Sequence, residues 1–233
     1  MDITLLYDYF SAASVERQQE LDYCLRQNLS LDFSRIILFG DKQFSGIDSK
    51  MVVRIPLQER LTFSDFLEYV HANRNSEGIA VFTNSDIVID KTLIDSVSQL
   101  KFGVVLAISR YESIDTLAND PWCTQDTWVL RLQPIHISAR LSTKFPLGKP
   151  GCELRFAEAL YSVGFSIFNP CLSIRNLHVH SLASNHNDEF RLYGSYIFTP
   201  PCLMEQAANN DQSVIGRLVY LRRDSITEVA RQN

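Results

Sequence analysis

Ile79-Ala80-Val81-Phe82-Thr83-Asn84-Ser85-Asp86-Ile87-Val88-Ile89 is an apolar run that breaks at Asn-Ser-Asp and then resumes. A short apolar stretch bounded by a polar step predicts a buried strand, and its C-terminal edge then presents one carboxylate, Asp86. Open α/β sheets bind their ligands at that edge, so Asp86 is the first candidate for chemistry. Alone it says little, because carboxylates at strand ends commonly cap a turn or the next helix. It needs partners from elsewhere in the chain.

The flanking sequence repeats a βα rhythm. Ile3 to Tyr7 reads as a short buried strand, Ser14 as an N-cap, and the apolar positions Leu21, Cys24, Leu25 and Leu29 as a helix. Arg35 to Asp41 predicts a second strand and Met51 to Ile55 a third, stopped by Pro56. Thr62 then caps a helix carrying Phe63, Phe66, Leu67 and Val70 on one face. After Asp86, a short helix holds Leu93, Ile94, Val97 and Leu100, followed by a strand from Gly103 to Ile108. Strand, helix, strand closes right-handed into a parallel sheet, which predicts a three-layer α/β core.

The second half changes character. Tyr111 to Pro121 reads as a polar loop, and Gln125 to Leu132 as a strand with one exposed face. The proline- and glycine-rich segment from Phe145 to Gly151 predicts a loop leading into a helix from Cys152, with Gly164 as its stop. Strands are expected at Phe165 to Phe168 and Leu172 to His180, and a helix or strand near Val214 to Leu221.

Composition narrows the function. The chain has 233 residues, 45% of them apolar, enough to bury a sizeable core in one domain, residues 1–233. A net charge of −5 offers no basic field for a nucleic-acid backbone, although clustered carboxylates would accept a divalent cation. Five scattered cysteines without a C-x-x-C pair suggest neither a zinc site nor a disulfide framework, and fit a reducing cytoplasm. The chain enters its first apolar run without a basic leader and has no stretch of about 18 apolar residues, so it reads as untargeted, with no transmembrane segment. G-x-S-x-G, H-E-x-x-H, P-loop and G-x-G-x-x-G patterns are all absent.

Several residues could converge on Asp86. His178 and His180 would face one side of a strand, and imidazole with carboxylate suits Mn²⁺, while Mg²⁺ leans more on oxygen; two half-exposed edge histidines would look the same. Glu153 opens a helix at an open sheet edge, placed either as a general base or merely to complement the helix dipole. Asp126 could orient an acceptor hydroxyl or cap its turn. Arg60 and Arg54 flank Pro56, where a guanidinium could clamp a diphosphate. Tyr7, Tyr9 and Phe10 could stack a nucleobase or sit in the core, and Asp8 could bind a base or ribose.

The order of these motifs resembles a GT-A-type glycosyltransferase of the nucleotide-diphospho-sugar transferase superfamily, in particular the small polysaccharide-type enzymes of bacteria and large viruses. The likeness runs from Ile3 to about Pro201. Leu5 to Phe10 and Glu16-Arg17-Gln18 to Leu29 resemble the family's nucleotide-holding opening, and Arg60 to Phe66 its nucleotide-contacting arginine before a helix. Asn84-Ser85-Asp86 stands where the family carries its DXD metal motif, with Asn84 in place of the first aspartate. Pro150 to Phe165 is similar to the acidic helix that supplies the catalytic base in inverting members, and His178-Val179-His180 to the late histidine that completes the metal sphere.

The resemblance implies a GT-A-like α/β/α sandwich with a mostly parallel central sheet and a Rossmann-like N-terminal half. Residues 1–110 would bind the nucleotide, 111–201 would carry the acceptor and catalytic groups, and 202–233 would be a tail. It implies transfer of a sugar from a nucleotide-diphosphate donor to a hydroxyl of a glycan or other acceptor, with inversion, in polysaccharide biosynthesis. Asp86, His178 and His180 would hold Mn²⁺ or Mg²⁺, Glu153 and Asp126 would be catalytic, and Tyr7, Asp8, Tyr9, Arg60, Asn84 and Ser85 would meet the donor. A sugar nucleotidyltransferase and a non-catalytic nucleotide-sugar-binding module are the alternatives.

Overall fold

The computed structural model describes residues 1–40, 51–57, 59–180, 192, 194–222 and 225–228. The chain opens with β1 (Asp2–Asp8), buried after its first residue. The helix α1 (Val15–Leu29) starts at Ser14, whose hydroxyl accepts from the Arg17 backbone N–H at 3.1 Å, satisfying one of the free donors of the first turn. Next come β2 (Arg35–Gly40) and β3 (Val52–Pro56). The helix α2 (Phe63–Ala72) opens on a reciprocal cap: the Asp65 backbone N–H donates to the Thr62 hydroxyl, and the Thr62 N–H donates to the Asp65 carboxylate at 2.8 Å.

There follow β4 (Gly78–Thr83), β5 (Ile87–Val88), α3 (Lys91–Ser96), β6 (Val104–Ser109), β7 (Tyr111–Ser113), β8 (Thr116–Leu117) and β9 (Gln125–Arg131). The remainder comprises α4 (Ile137–Ser142), α5 (Cys152–Ser162), β10 (Ser166–Phe168), β11 (Leu177–His178), β12 (Gly194–Phe198), α6 (Met204–Ala208), β13 (Arg217–Arg222) and β14 (Ser225–Glu228).

Seven strands form the central sheet in the order β3-β2-β1-β4-β9-β6-β10. All neighbours are parallel except β9, which runs antiparallel to both β4 and β6. From β1 the chain steps to β2 and β3 on one side, then returns to place β4 on the other. The strand order reverses there, and a crevice lies beyond the C-terminal ends of β1 and β4, past Asp8 and Thr83.

The pleat sorts side chains onto two faces. Leu5, Tyr7, Ile79 and Val81 join Leu25 of α1 and Leu93 of α3 in one core, whereas Leu6, Ala80 and Phe82 join Phe63 of α2, Ala139 of α4 and Phe156 of α5 in the other. Helices therefore cover both faces, the three-layer α/β arrangement with a mostly parallel sheet that the sequence predicts. An aromatic cluster fixes α5: Phe156 stacks on Phe63 with centroids 4.3 Å apart and meets Trp128 edge-on at 4.6 Å. Ring pairs of this kind add about 0.5–1.5 kcal/mol each beyond the area they bury.

Three sequence expectations need correction, and two elements were not anticipated. Strand β9 is buried along its length up to Arg131 rather than open on one face, because it lies between β4 and β6 with helices on both sides. Residues 111–121 are not a bare loop, since Tyr111–Ser113 and Thr116–Leu117 pair as β7 and β8. The strand expected over Leu172 to His180 shrinks to Leu177–His178, its His180 end bordering residues outside the description. Strand β12 and helix α6 have no counterpart in the sequence reading; the segment near Val214 to Leu221 is strand β13. Asp41, the end of the expected second strand, lies outside the described residues.

Candidate active site

Strand ends and a small second sheet assemble the site. In the four-stranded sheet β5-β11-β7-β8, His178 pairs antiparallel with Ile87, and the Val179 N–H donates to the Asp86 carbonyl at 2.8 Å. That pairing carries His178 across some ninety residues of sequence to the side of Asp86. Helix α1 is fastened to the same strand by Asn28, whose amide donates to the Ile87 carbonyl and accepts from the Ile89 N–H, both at 2.8 Å. The first turn of α1 thereby reaches the same place. On the other side, the β4–β9 register sets Asn84 against Asp126, with the Asn84 N–H donating to the Asp126 carbonyl at 3.0 Å.

Asp86, His178 and His180 each present a ligand atom within 4.8 Å of the others. The two imidazoles stack with centroids 5.4 Å apart, and His178 Nε2 lies 3.5 Å from Asp86 Oδ2. His180 Nε2 is buried without a hydrogen-bond partner among the described residues. An orphaned imidazole nitrogen beside a carboxylate and a second imidazole fits a divalent cation of the Mn²⁺ or Mg²⁺ type. Burial alone would raise the pKa of Asp86, but hydrogen bonds and charge from His178 and Arg17 outweigh it and hold the carboxyl well below the usual range. Burial opposes protonation of His178, yet Asp86 and Glu112 on its two sides raise its pKa, whereas burial and the Arg17 charge lower that of His180.

Glu153, in the first turn of α5, is half-buried and lines the same cleft. Gly151 sets its entry: with φ 82° it takes a left-handed turn, and a Cβ there would stand 2.9 Å from Tyr196 Oη. Burial, followed by the nearby charge of Asp126, pushes the Glu153 carboxyl up to about 7. It has no ion pair among the described residues, in contrast to Asp126, which Arg110 Nη1 reaches at 3.1 Å and the Asn84 amide at 2.5 Å. Burial and the Asp86 charge raise the Asp126 pKa while Arg110 draws it down.

Phe10, Arg17, Arg60, Asn84, Ser85, Asp86, Arg110, Asp126, Glu153, His178 and His180 all border one cleft of about 530 Å³. That size suits a small-molecule ligand. A second hollow of about 520 Å³, around His71, Gly103 and Phe165, lies near the opposite ends of the strands and holds none of these carboxylates.

Three residues expected to meet a donor stand elsewhere. Tyr7 and Tyr9 are core residues, because on β1 and just beyond it they point with Leu5 into the buried face. Their hydroxyls serve as staples, Tyr7 donating to the Ser85 carbonyl and Tyr9 to Asp22 at 2.6 Å. Asp8 is buried and bound by Arg60 Nε and Nη2, each at 2.9 Å. The aromatic ring at the cleft is Phe10, under the Arg60 guanidinium at 3.8 Å. Arg110 and Glu112 escaped the sequence reading, and Arg17 entered it only as part of the opening that resembles the family's nucleotide-holding segment. The signal for Arg110 and Glu112 is the rule that singled out Asp86: they follow the buried strand β6 at its C-terminal end.

No protein-family model and no curated protein matches the sequence. Solved structures with a similar chain path include the 2-C-methyl-D-erythritol 4-phosphate cytidylyltransferase of Francisella tularensis, with 11% identity over 71% of this chain and 88% of that one and a TM-score of 0.43. S. aureus TarS 1-349 matches at 13% identity over 78% of this chain and 58% of that one, with a TM-score of 0.39. GalNAc-T7, solved with UDP, GalNAc and Mn²⁺, matches at 12% identity over 78% and 44%, with a TM-score of 0.41. With TM-scores below 0.5, these are likenesses of chain path alone. At such scores no role passes from them to residues here. Among the described residues no helix is long and apolar enough to cross a membrane.

Proposed function

We propose that the chain is a metal-dependent glycosyltransferase that moves a sugar from a nucleotide-diphosphate donor to a hydroxyl acceptor, a glycan in the first instance, with inversion. The observation that carries this reading is the meeting, in one cleft at the strand-order reversal, of a carboxylate–imidazole set with a separate carboxyl raised to about 7. The first suits a cation at a diphosphate and the second a base at an acceptor hydroxyl. Residues 1–110 supply the nucleotide-binding half, 111–201 the acceptor and catalytic half, including the two histidines, and 202–233 a tail, all within one domain.

Asp86, His178 and His180 would hold Mn²⁺ or Mg²⁺, which when bound supplies positive charge against the diphosphate leaving group. Glu153, with a pKa close to neutral, is deprotonated often enough to accept the hydroxyl proton and basic enough to pull on it. Asp126, kept in place by Arg110 and Asn84, orients the acceptor. Arg60 and Phe10 form a cationic and aromatic wall for the nucleotide, with Asn84 and Ser85 below it. A binding module without catalysis is the second reading, favoured by Asn84, whose amide is committed to Asp126 at 2.5 Å where a second carboxylate ligand would otherwise stand.

A thermal-shift panel of UDP-, GDP-, dTDP- and CMP-sugars with and without Mn²⁺, followed by turnover of the stabilising donor, tests both. Glu153→Gln should lower kcat by about a hundredfold or more while leaving the donor-induced shift intact. Donor binding without transfer in the unaltered protein would establish the module.

A further inference from the structure

The guanidinium of Arg17 stands inside the carboxylate–imidazole cage. Its Nη2 lies 2.5 Å from Asp86 Oδ2, and its Nη1 lies 2.8 Å from Glu20 Oε2 and 2.6 Å from His180 Nδ1. Two of the three residues able to ligate a cation therefore already face one, and Glu20, with a side chain only 11% exposed, answers the same charge. The arginine is held rather than merely nearby. It follows the Ser14 cap by three residues, and Asn28 fastens its helix to β5. Its side chain also borders the cleft, so it has an open side toward which to move.

From this geometry we infer that Arg17 and a divalent cation are alternative occupants of one site, so that metal enters only as the guanidinium leaves Asp86 and His180 for the cleft. The inference rests on the reading of Asp86, His178 and His180 as the metal set. A cation among ligand atoms spaced within 4.8 Å would stand close to the guanidinium that already meets Asp86 Oδ2. At an effective dielectric of about 20, unit charges 4–5 Å apart repel strongly enough to change an equilibrium by on the order of a hundredfold or more. Withdrawal of the guanidinium relieves part of that penalty, and an anion such as a diphosphate in the cleft would receive it. The cation affinity of the protein alone is therefore set low by its own arginine, and rises when an anionic ligand draws Arg17 away. Arg17 acts on the metal by competition and is a positioning residue.

Equilibrium Mn²⁺ binding, followed by the electron paramagnetic resonance signal of the free ion, tests this without any turnover. Arg17→Gln, which removes the charge but keeps a helix-forming side chain, should lower the Mn²⁺ Kd by about tenfold or more, and adding Asp86→Asn should abolish that gain. Arg17→Lys, which keeps the charge, should bind Mn²⁺ within about threefold of the unaltered protein. A Kd for Arg17→Gln equal to or weaker than that of the unaltered protein overturns the competition. So does a gain that survives Asp86→Asn, or one reproduced in full by Arg17→Lys. Mn²⁺ binding that Asp86→Asn removes but Arg17→Gln leaves unchanged overturns the competition alone. Failure of every variant to bind Mn²⁺ overturns the metal reading as well.

Discussion

Replacing Glu153 by Gln should stabilise the protein at alkaline pH while it removes activity. The native carboxyl is raised to about 7 from an ordinary value of 4.5. Between those values the native state keeps a proton that the unfolded chain has lost, so this residue's contribution to stability falls as pH rises through the window. Below about 4.5 both states are protonated and Glu153 costs nothing; above about 7 the native state must hold the carboxylate in a half-buried site beside Asp126. At roughly 1.4 kcal/mol per pH unit, the full difference is about 3 kcal/mol. Glutamine keeps the shape and never ionises, so it escapes that cost. For a chain of this length, where about 1 kcal/mol moves Tm by roughly 2–4 °C, the variant should gain about 6–12 °C over the parent at pH 8 and little at pH 4.5. Thermal unfolding of both proteins from pH 4.5 to 8.5 reads the effect as a difference of differences, in which the other titrating groups largely cancel. A Tm gap that does not change with pH would refute the burial and charge argument for Glu153, and with it the reason for assigning a base there.

Two further outcomes follow from the packing and the charge arrangement. Asn84→Asp, which restores a carboxylate at the first position of the Asn-Ser-Asp step, should not repair the site: it sets a carboxylate 2.5 Å from Asp126 where an amide now donates. The variant should lose about 1–3 kcal/mol at pH 8 and recover part of it toward pH 5, measured by urea unfolding at both values, because one of two adjoining carboxyls then keeps a proton. Phe156→Ala removes a fully buried ring from between Phe63 and Trp128 and should cost about 3–5 kcal/mol in the same assay, with a loss below about 1 kcal/mol contradicting the role of the aromatic cluster in seating α5.

What the sequence disclosed was local. The caps at Ser14 and Thr62, the stop at Gly164 and the apolar runs of β1, β2 and β4 depend on neighbours within a few residues, and each lies where its pattern predicts. Strand β9 misled because partial alternation suggests an exposed face, and only its place between β4 and β6 buries the polar positions Thr127 and Gln125, whose side chains then bond Thr83 and Thr199. Tyr7 misled for the reason that β1 is central: an aromatic at a strand end is a cleft wall on an edge and core in the middle.

The site divides along the same line. Asp86 and Glu153 were found because each stands at a boundary visible in the sequence, a strand end and a helix start. Which cations meet those carboxylates is set by pairings with no local trace, although Arg110 itself stands at a strand end that the same rule marks. Arg17 reaches Asp86 because Asn28 fastens its helix to β5, and Arg110 reaches Asp126 because β9 lies beside β6. Once both arginines are placed, the carboxylates separate by environment. Asp86 is held ionised by Arg17 and His178, and Asp126 is tied to Arg110 and Asn84. Glu153 has no ion pair among the described residues, and burial with the Asp126 charge outweighs the more distant pull of Arg110. Three acids in one cleft thus differ in proton affinity through burial and the charges the fold brings to them: Asp86 is drawn down by His178 and Arg17, whereas burial outweighs Arg110 at Asp126 and lifts Glu153 to about 7, where a carboxyl can exchange a proton near neutral pH.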